Sequence, residues 1–138
     1  MAENRDWPIG IPLTGVSLNV ETMLGGTELQ LNEMNFFFSE VNTVLTLRPN
    51  ATTDEIELTQ SLASTINLLP PPEWCRPFIG QPLQAVWVCE NNQGYQDQVI
   101  LAFQFLRPSL SFVSESSVLL VFAPQIMKRP KKRQRLRK

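Results

Sequence analysis

Histidine is absent from the sequence. Its absence removes the commonest general base near neutral pH, the usual zinc ligand and every histidine-dependent catalytic triad. Lysine is absent before Lys128, so the preceding residues carry little positive charge with which to grip phosphate. No stretch approaches the ~18 consecutive apolar residues of a membrane-spanning helix. Met1 to Asp6 is polar and carries both signs of charge, without the basic-then-apolar order of a secretory signal. A soluble protein made and kept in the cytoplasm is therefore expected. There is no glycine-rich phosphate loop, and Asn50-Ala51-Thr52, a formal glycosylation sequon, has no meaning without a secretory route. Cys75 and Cys89 are too few and too far apart for a zinc site, so neither a metal nor a cofactor is expected. Cys89 lies in the apolar run Val86-Trp87-Val88-Cys89, where a buried thiol acting as a small hydrophobe is the preferred reading over a disulfide to Cys75.

What is present suffices for one core, since 138 residues with 43% apolar content fit one β-rich domain, placed at residues 1–127. The net charge of −1 conceals a segregation. From Lys128 to Lys138 the chain carries Lys128, Arg129, Lys131, Lys132, Arg133, Arg135, Arg137 and Lys138, a charge of +8. Four arginines, Arg5, Arg48, Arg76 and Arg107, are left to face all thirteen carboxylates, so the body stands at −9. Pro130 and dense like charge make residues 128–138 read as a disordered basic tail.

Proline and glycine divide the body into two strand-rich halves, about 12–60 and 82–123, joined by a proline-rich hinge over 68–81. Pro12-Leu13-Thr14-Gly15-Val16 aligns with Pro82-Leu83-Gln84-Ala85-Val86 at an offset of seventy. Farther on, Asn35-Phe36-Phe37-Phe38 falls near Ala102-Phe103-Gln104-Phe105, and Thr43 to Leu47 near Ser109 to Val113. Glu55 to Leu58 falls near Ser117 to Leu120, so the offset shrinks along the chain. Each half reads as four strands, over 13–21, 28–38, 43–48 and 55–60, then 82–90, 97–106, 109–114 and 117–123. Gly25-Gly26 and Asn91-Asn92-Gln93-Gly94 supply the matching turns. Alternation places Leu29 and Leu31, and Val99, Leu101, Phe103 and Phe105, on inward faces. The expected fold is mainly β: two similar four-stranded antiparallel halves forming a sandwich or a partly open barrel. Leu58, Leu62, Ile66 and Leu69 recur at helical spacing, and Thr52-Thr53-Asp54-Glu55 matches a capping box, so a short helix near 60–68 is added.

The run Val86-Trp87-Val88-Cys89-Glu90-Asn91-Asn92-Gln93-Gly94-Tyr95-Gln96-Asp97, followed by Val99–Phe103 and Ser116–Phe122, resembles a group of small uncharacterised proteins common in cyanobacteria. The shared pattern is a tryptophan strand, an asparagine-rich turn ending Gly-Tyr-x-Asp and a β-hairpin, and it spans residues 82–123. The resemblance implies a β-rich domain and a photosynthetic prokaryotic source, and it brings no activity.

Asn91 to Asp97 reads first as a turn in which asparagine side chains bond their own backbone, Gly94 is left-handed and Asp97 caps the next strand. A calcium loop of Glu90, Asn92 and Asp97 fails the EF-hand spacing. Trp87, Asn92, Tyr95 and Asp97 form a candidate partner surface, although burial of Trp87 in the core is the first expectation. Asp54, Glu55 and Glu57 lack a pocket for acid/base work, and Ser114, Ser116 and Ser117, expected in a hairpin connection, lack an activating base. The expected function is non-catalytic. An acidic domain contacts a protein partner while the tail anchors to RNA, DNA or an anionic membrane surface. The alternative is a regulatory or inhibitory protein whose acidic body fills a basic groove on its target.

Overall fold

The computed structural model describes residues 6–20, 29–63, 70–124 and 127. The tail, the Gly25-Gly26 turn and residues 64–68 of the expected helix lie outside them. Eight strands occur in chain order: β1 Gly15–Val20, β2 Gln30–Phe38, β3 Thr43–Pro49, β4 Ile56–Leu62, β5 Leu83–Glu90, β6 Gln96–Phe103, β7 Leu110–Glu115 and β8 Val118–Phe122. Short 3₁₀ turns at Ser39–Val41 and Arg76–Phe78 complete the regular structure of the described residues, which include no α-helix. All pairings are antiparallel, and the sheet curls into a half-barrel. Of the two expected forms, the partly open barrel is therefore the one adopted.

Each half is a four-stranded meander, β1–β4 and β5–β8, and the two repeat one another in register. Val16, Ser17, Leu18 and Asn19 face Phe36, Asn35, Met34 and Glu33. Val86, Trp87, Val88 and Cys89 face Leu101, Ile100, Val99 and Gln98. The third and fourth strands follow suit: Leu47 lies between Met34 and Leu58, as Phe112 lies between Val99 and Val121. The equivalent of Phe38 is thus Phe103, and the equivalent of Leu45 is Leu110, which corrects the aligned pieces by two residues and by one. A slip of one residue would have turned every side chain of β7 to the wrong face.

The halves meet where they are most alike. Gly10 N–H donates to the Leu83 carbonyl and Gly80 N–H to the Leu13 carbonyl, both at 2.7 Å. Leu13 N–H donates to Gln81 and Leu83 N–H to Ile11, both at 3.0 Å. Every bond maps onto its partner by adding or subtracting seventy, as an approximate twofold axis at the Pro12–Pro82 bridge requires. The bonds hold the start of β5 against the chain entering β1. The motif behind them, Ile9-Gly10-Ile11-Pro12-Leu13 against Ile79-Gly80-Gln81-Pro82-Leu83, needs glycine because Gly10 and Gly80 have φ of +83° and +85°. On the far side β2 closes the curve by pairing with β8 through Leu31 and Leu119.

Inside lie Phe36, Phe38, Leu45, Leu47, Leu101, Leu110, Phe112 and Leu119, all fully buried. The rings of Phe103 and Phe112 sit 5.9 Å from that of Phe36, the latter edge-on. Cys75, on the turn before β5, is also fully buried.

Several expectations are corrected here. β4 runs on through Leu62, so no helix begins at residue 60. The supposed capping box is a turn organised by Asn50, whose Oδ1 accepts from Thr52 and Thr53 N–H. β6 stops at Phe103, because Gln104 takes φ of +69° and the chain leaves the sheet there. Phe105 is consequently half-exposed in a loop rather than inward on a strand. Trp87 and Cys89 are not core residues. Val86, opposite buried Leu101, takes the inner face, and its neighbour Trp87 must then point outward. Ser114 belongs to β7 and is buried, while Ser116 and Ser117 form the turn.

Candidate functional site

Three turns converge where the halves overlap. Asp54, at φ of +61° in the β3–β4 connection, accepts from Ser116 and Ser117 N–H at 3.1 and 3.0 Å with its two carboxylate oxygens. Glu55 accepts from Gln96 N–H at 2.9 Å. In the duplicated pattern this is the place where β4 would pair with β6 as β8 pairs with β2, and the Glu55 carboxylate stands in for that ladder. Both carboxylates thus satisfy backbone donors and tie one meander to the other, a structural use that the sequence reading did not assign them.

The β5–β6 turn is organised by Asn91. Its Oδ1 accepts from Gln93 N–H at 2.8 Å and Tyr95 N–H at 3.2 Å, and its Nδ2 donates to Asp97 Oδ2 at 3.1 Å. Gly94 is left-handed, at φ of +86°. Asp97, inside β6, anchors the Asn91 amide rather than capping the strand. Asn92 and Tyr95 are exposed at the tip, Asp97 is half-buried behind them, and Trp87 lies lower on the outer face of β5. The four residues therefore span one end and one face of the same hairpin and do not converge on a point.

The outer faces of the two meanders differ sharply in chemistry. Across the first run Ser17, Asn35, Thr46 and Thr59, the first three joined by hydrogen bonds from Asn35 Nδ2 to Ser17 Oγ at 3.1 Å and from Thr46 Oγ1 to Asn35 Oδ1 at 2.6 Å. Arg48 pairs with Glu33 beside them. The equivalent row of the second meander is Trp87, Ile100, Ser111 and Phe122. One repeat is thus wettable outside where the other is apolar.

At the lower end of the second meander the β6–β7 loop presents Phe105, Leu106 and Arg107, with the Arg107 guanidinium 4.6 Å above the Phe105 ring. In the sequence this loop is masked by Phe105, which continues the alternation of β6. Pro108, which cannot donate to a ladder, was the available signal that the strand had ended.

Among the described residues no three His, Cys, Asp or Glu side chains are grouped to hold a metal ion, and no helix is long and apolar enough to cross a membrane. Both cysteines are free. Burial pushes the Cys75 thiol up to about 12 from its ordinary 9.0, whereas Cys89 is only half-buried on the outer face. A thiol reagent such as dithionitrobenzoate near neutral pH is expected to modify Cys89 in the native protein and Cys75 only on unfolding. The raised folded value also fixes a sign. Cys75 contributes stability that is whole below pH 9 and declines as pH rises toward 12, and Cys75→Ala removes that component of the alkaline loss.

A family model matches residues 1–128. The chain belongs to the family of unknown function DUF6334. The match leaves the tail of this DUF6334 member outside from Arg129 onward, and it takes in both meanders, the carboxylate clasp and the β6–β7 loop. No match was found among curated proteins or among solved structures.

Proposed function

We propose that this DUF6334 member is a non-catalytic adaptor of the cytoplasm, the cytosol of a photosynthetic prokaryote if its source follows the resemblance. Its acidic β domain contacts a protein partner, and residues 128–138 hold the pair on a polyanion. The observation that carries the reading is the segregation of charge, −9 in the body against +8 in eleven residues. Eight cations on a short segment displace condensed counterions from a phosphate surface, which gives salt-dependent affinity with little base preference. The non-catalytic assignment is supported by the use of Asp54 and Glu55, whose carboxylates are engaged by backbone amides. The apolar outer row of Trp87, Ile100 and Phe122 supplies a protein-facing surface that the first meander lacks.

The test is deletion of residues 128–138, followed by retention on RNA, DNA and anionic vesicles over a salt series. Retention of the intact chain is expected to fall steeply with salt, and the deletion to lower it at least ~10-fold at low salt. Equal retention of both forms on all three surfaces rejects the anchor. The competing reading, an acidic body seated in a basic groove of a target, is favoured by the same −9 balance. It predicts that partner capture is unchanged in the tail-deleted form.

A further inference from the structure

We infer that the polyanion is an anionic lipid surface and that the β6–β7 loop is the apolar foothold that acts with the tail. The inference rests on the tail being an anchor and names what it anchors to.

The second meander is electrically polarised along its strands. β5 and β7 run one way and β6 and β8 the other, so Glu90, Asp97 and Glu115 all fall at the same end of the sheet. The opposite end holds the loop 104–109 and the last residue of β8, Phe122. Neither the loop nor residues 122–124 contain a carboxylate, and the loop contributes the cation Arg107. In sequence the basic segment begins at Lys128, six positions after Phe122, so the chain tethers it within about 22 Å of this end. An anionic plane that meets this meander loop-first thus has Glu90, Asp97 and Glu115 at the far end of the strands.

What this end presents is apolar as well as cationic. Leu106 is 74% exposed, and Phe105 and Phe122 are each 51% exposed. The loop holds Phe105 and Leu106 out by tight bonds, Phe105 N–H to the Phe103 carbonyl at 2.8 Å and Arg107 N–H to the Phe105 carbonyl at 2.9 Å. At its base Ser109 Oγ accepts from Phe103 N–H at 2.9 Å. A phosphate backbone in water gives these side chains nothing. The boundary between headgroups and acyl chains takes up Phe and Leu while the cations remain among the lipid phosphates, and single weak signals of the two kinds combine there into stable attachment. A base of single-stranded RNA can stack on the Phe105 ring but leaves Leu106 in water, which is why lipid is favoured.

The experiment uses the full chain with vesicles of phosphatidylcholine and of equimolar phosphatidylcholine and phosphatidylserine, and with a single-stranded RNA of mixed sequence. Of the two kinds of vesicle, the intact chain is expected to partition only onto those with phosphatidylserine. Phe105→Ser with Leu106→Ser is expected to lower that partition by about tenfold per side chain, with RNA retention and the salt slope unchanged. Both side chains are exposed, so the melting temperature serves as the check on folding, and Leu106→Ser alone repeats the test if the pair unfolds. An unchanged vesicle partition in a folded variant, or an equal fall on RNA, overturns the foothold. Tail-dependent binding to RNA without binding to vesicles overturns the lipid assignment while leaving the anchor standing, and binding that ignores the tail on every surface overturns the anchor itself.

Discussion

Replacing Phe36 by alanine is expected to destabilise the protein by about 4 kcal/mol and to lower its melting temperature by roughly 15 °C. The side chain is fully buried on β2 and faces Val16 on one side and Leu45 on the other. Its ring also spans the two repeats, 5.9 Å from Phe103 of β6 and from Phe112 of β7. Truncation removes the transfer free energy of the ring and leaves a cavity whose walls, drawn from four strands fixed by backbone ladders, cannot collapse inward. It also removes two aromatic contacts, each worth about 0.5–1.5 kcal/mol beyond area. Phe36→Leu refills most of the volume and is expected to restore more than half of the loss. Urea denaturation, with midpoint and slope read separately, measures both values. A cost below about 1 kcal/mol would mean that the meanders do not share one core.

All eight strands are legible in the sequence because this fold states its rules locally. Alternation survives in Leu29, Leu31 and in Val99, Leu101, Phe103, and the connections carry residues that tolerate positive φ, such as Asn42, Asp54 and Gly94. The repeat was visible through Pro12-Leu13 and Pro82-Leu83, although its strongest element, the Ile-Gly-x-Pro-Leu motif, begins three residues earlier in each half. Register was less legible. Period-two patterns that contain Phe36-Phe37-Phe38, with both faces apolar, do not say which phenylalanine looks inward, and only the partner strand decides. Facing was lost in the same way for Trp87, since a continuous apolar run in β5 fits either parity. The helix expected near residue 60 shows the converse error. Leu58 and Leu62 lie four apart, which suits a helix, but an even spacing also suits a strand, and pairing with β3 settled it for the strand through Leu62.

The site was legible only as composition. Charge segregation needs no coordinates, but the gathering of Glu90, Asp97 and Glu115 at one end, opposite Arg107, follows from strand direction and so required the topology. The clasp formed by Asp54 and Glu55 joins residues about sixty and forty positions apart in sequence, and no local pattern announces it. The exposed loop was hidden because an apolar pair just beyond a strand looks like more strand.

Leu13→Ala and Leu83→Ala are expected to cost about 3 kcal/mol each, and the same within about 1 kcal/mol. Leu13 and Leu83 are both fully buried and stand seventy residues apart, at equivalent places beside the approximate twofold axis. Their backbones are engaged alike: each carbonyl accepts from a left-handed glycine at 2.7 Å, and each N–H donates at 3.0 Å. Equal burial and equal bonding give each truncation the same transfer and cavity terms, so equality is a consequence of the geometry and does not depend on the absolute cost. It is also a demanding test, because the surroundings have diverged. Val16 follows on one side and Val86 on the other, facing Phe36 and Leu101 respectively. If Leu13→Ala proved several-fold more costly, the first meander would be the rigid partner against which the second is held. The duplicated hydrogen bonds would then mark only a shared shape. Equal costs with an unchanged urea slope would instead mean that the junction carries its load symmetrically, leaving the outer faces and the loops as the places where the two repeats have been free to take on different tasks.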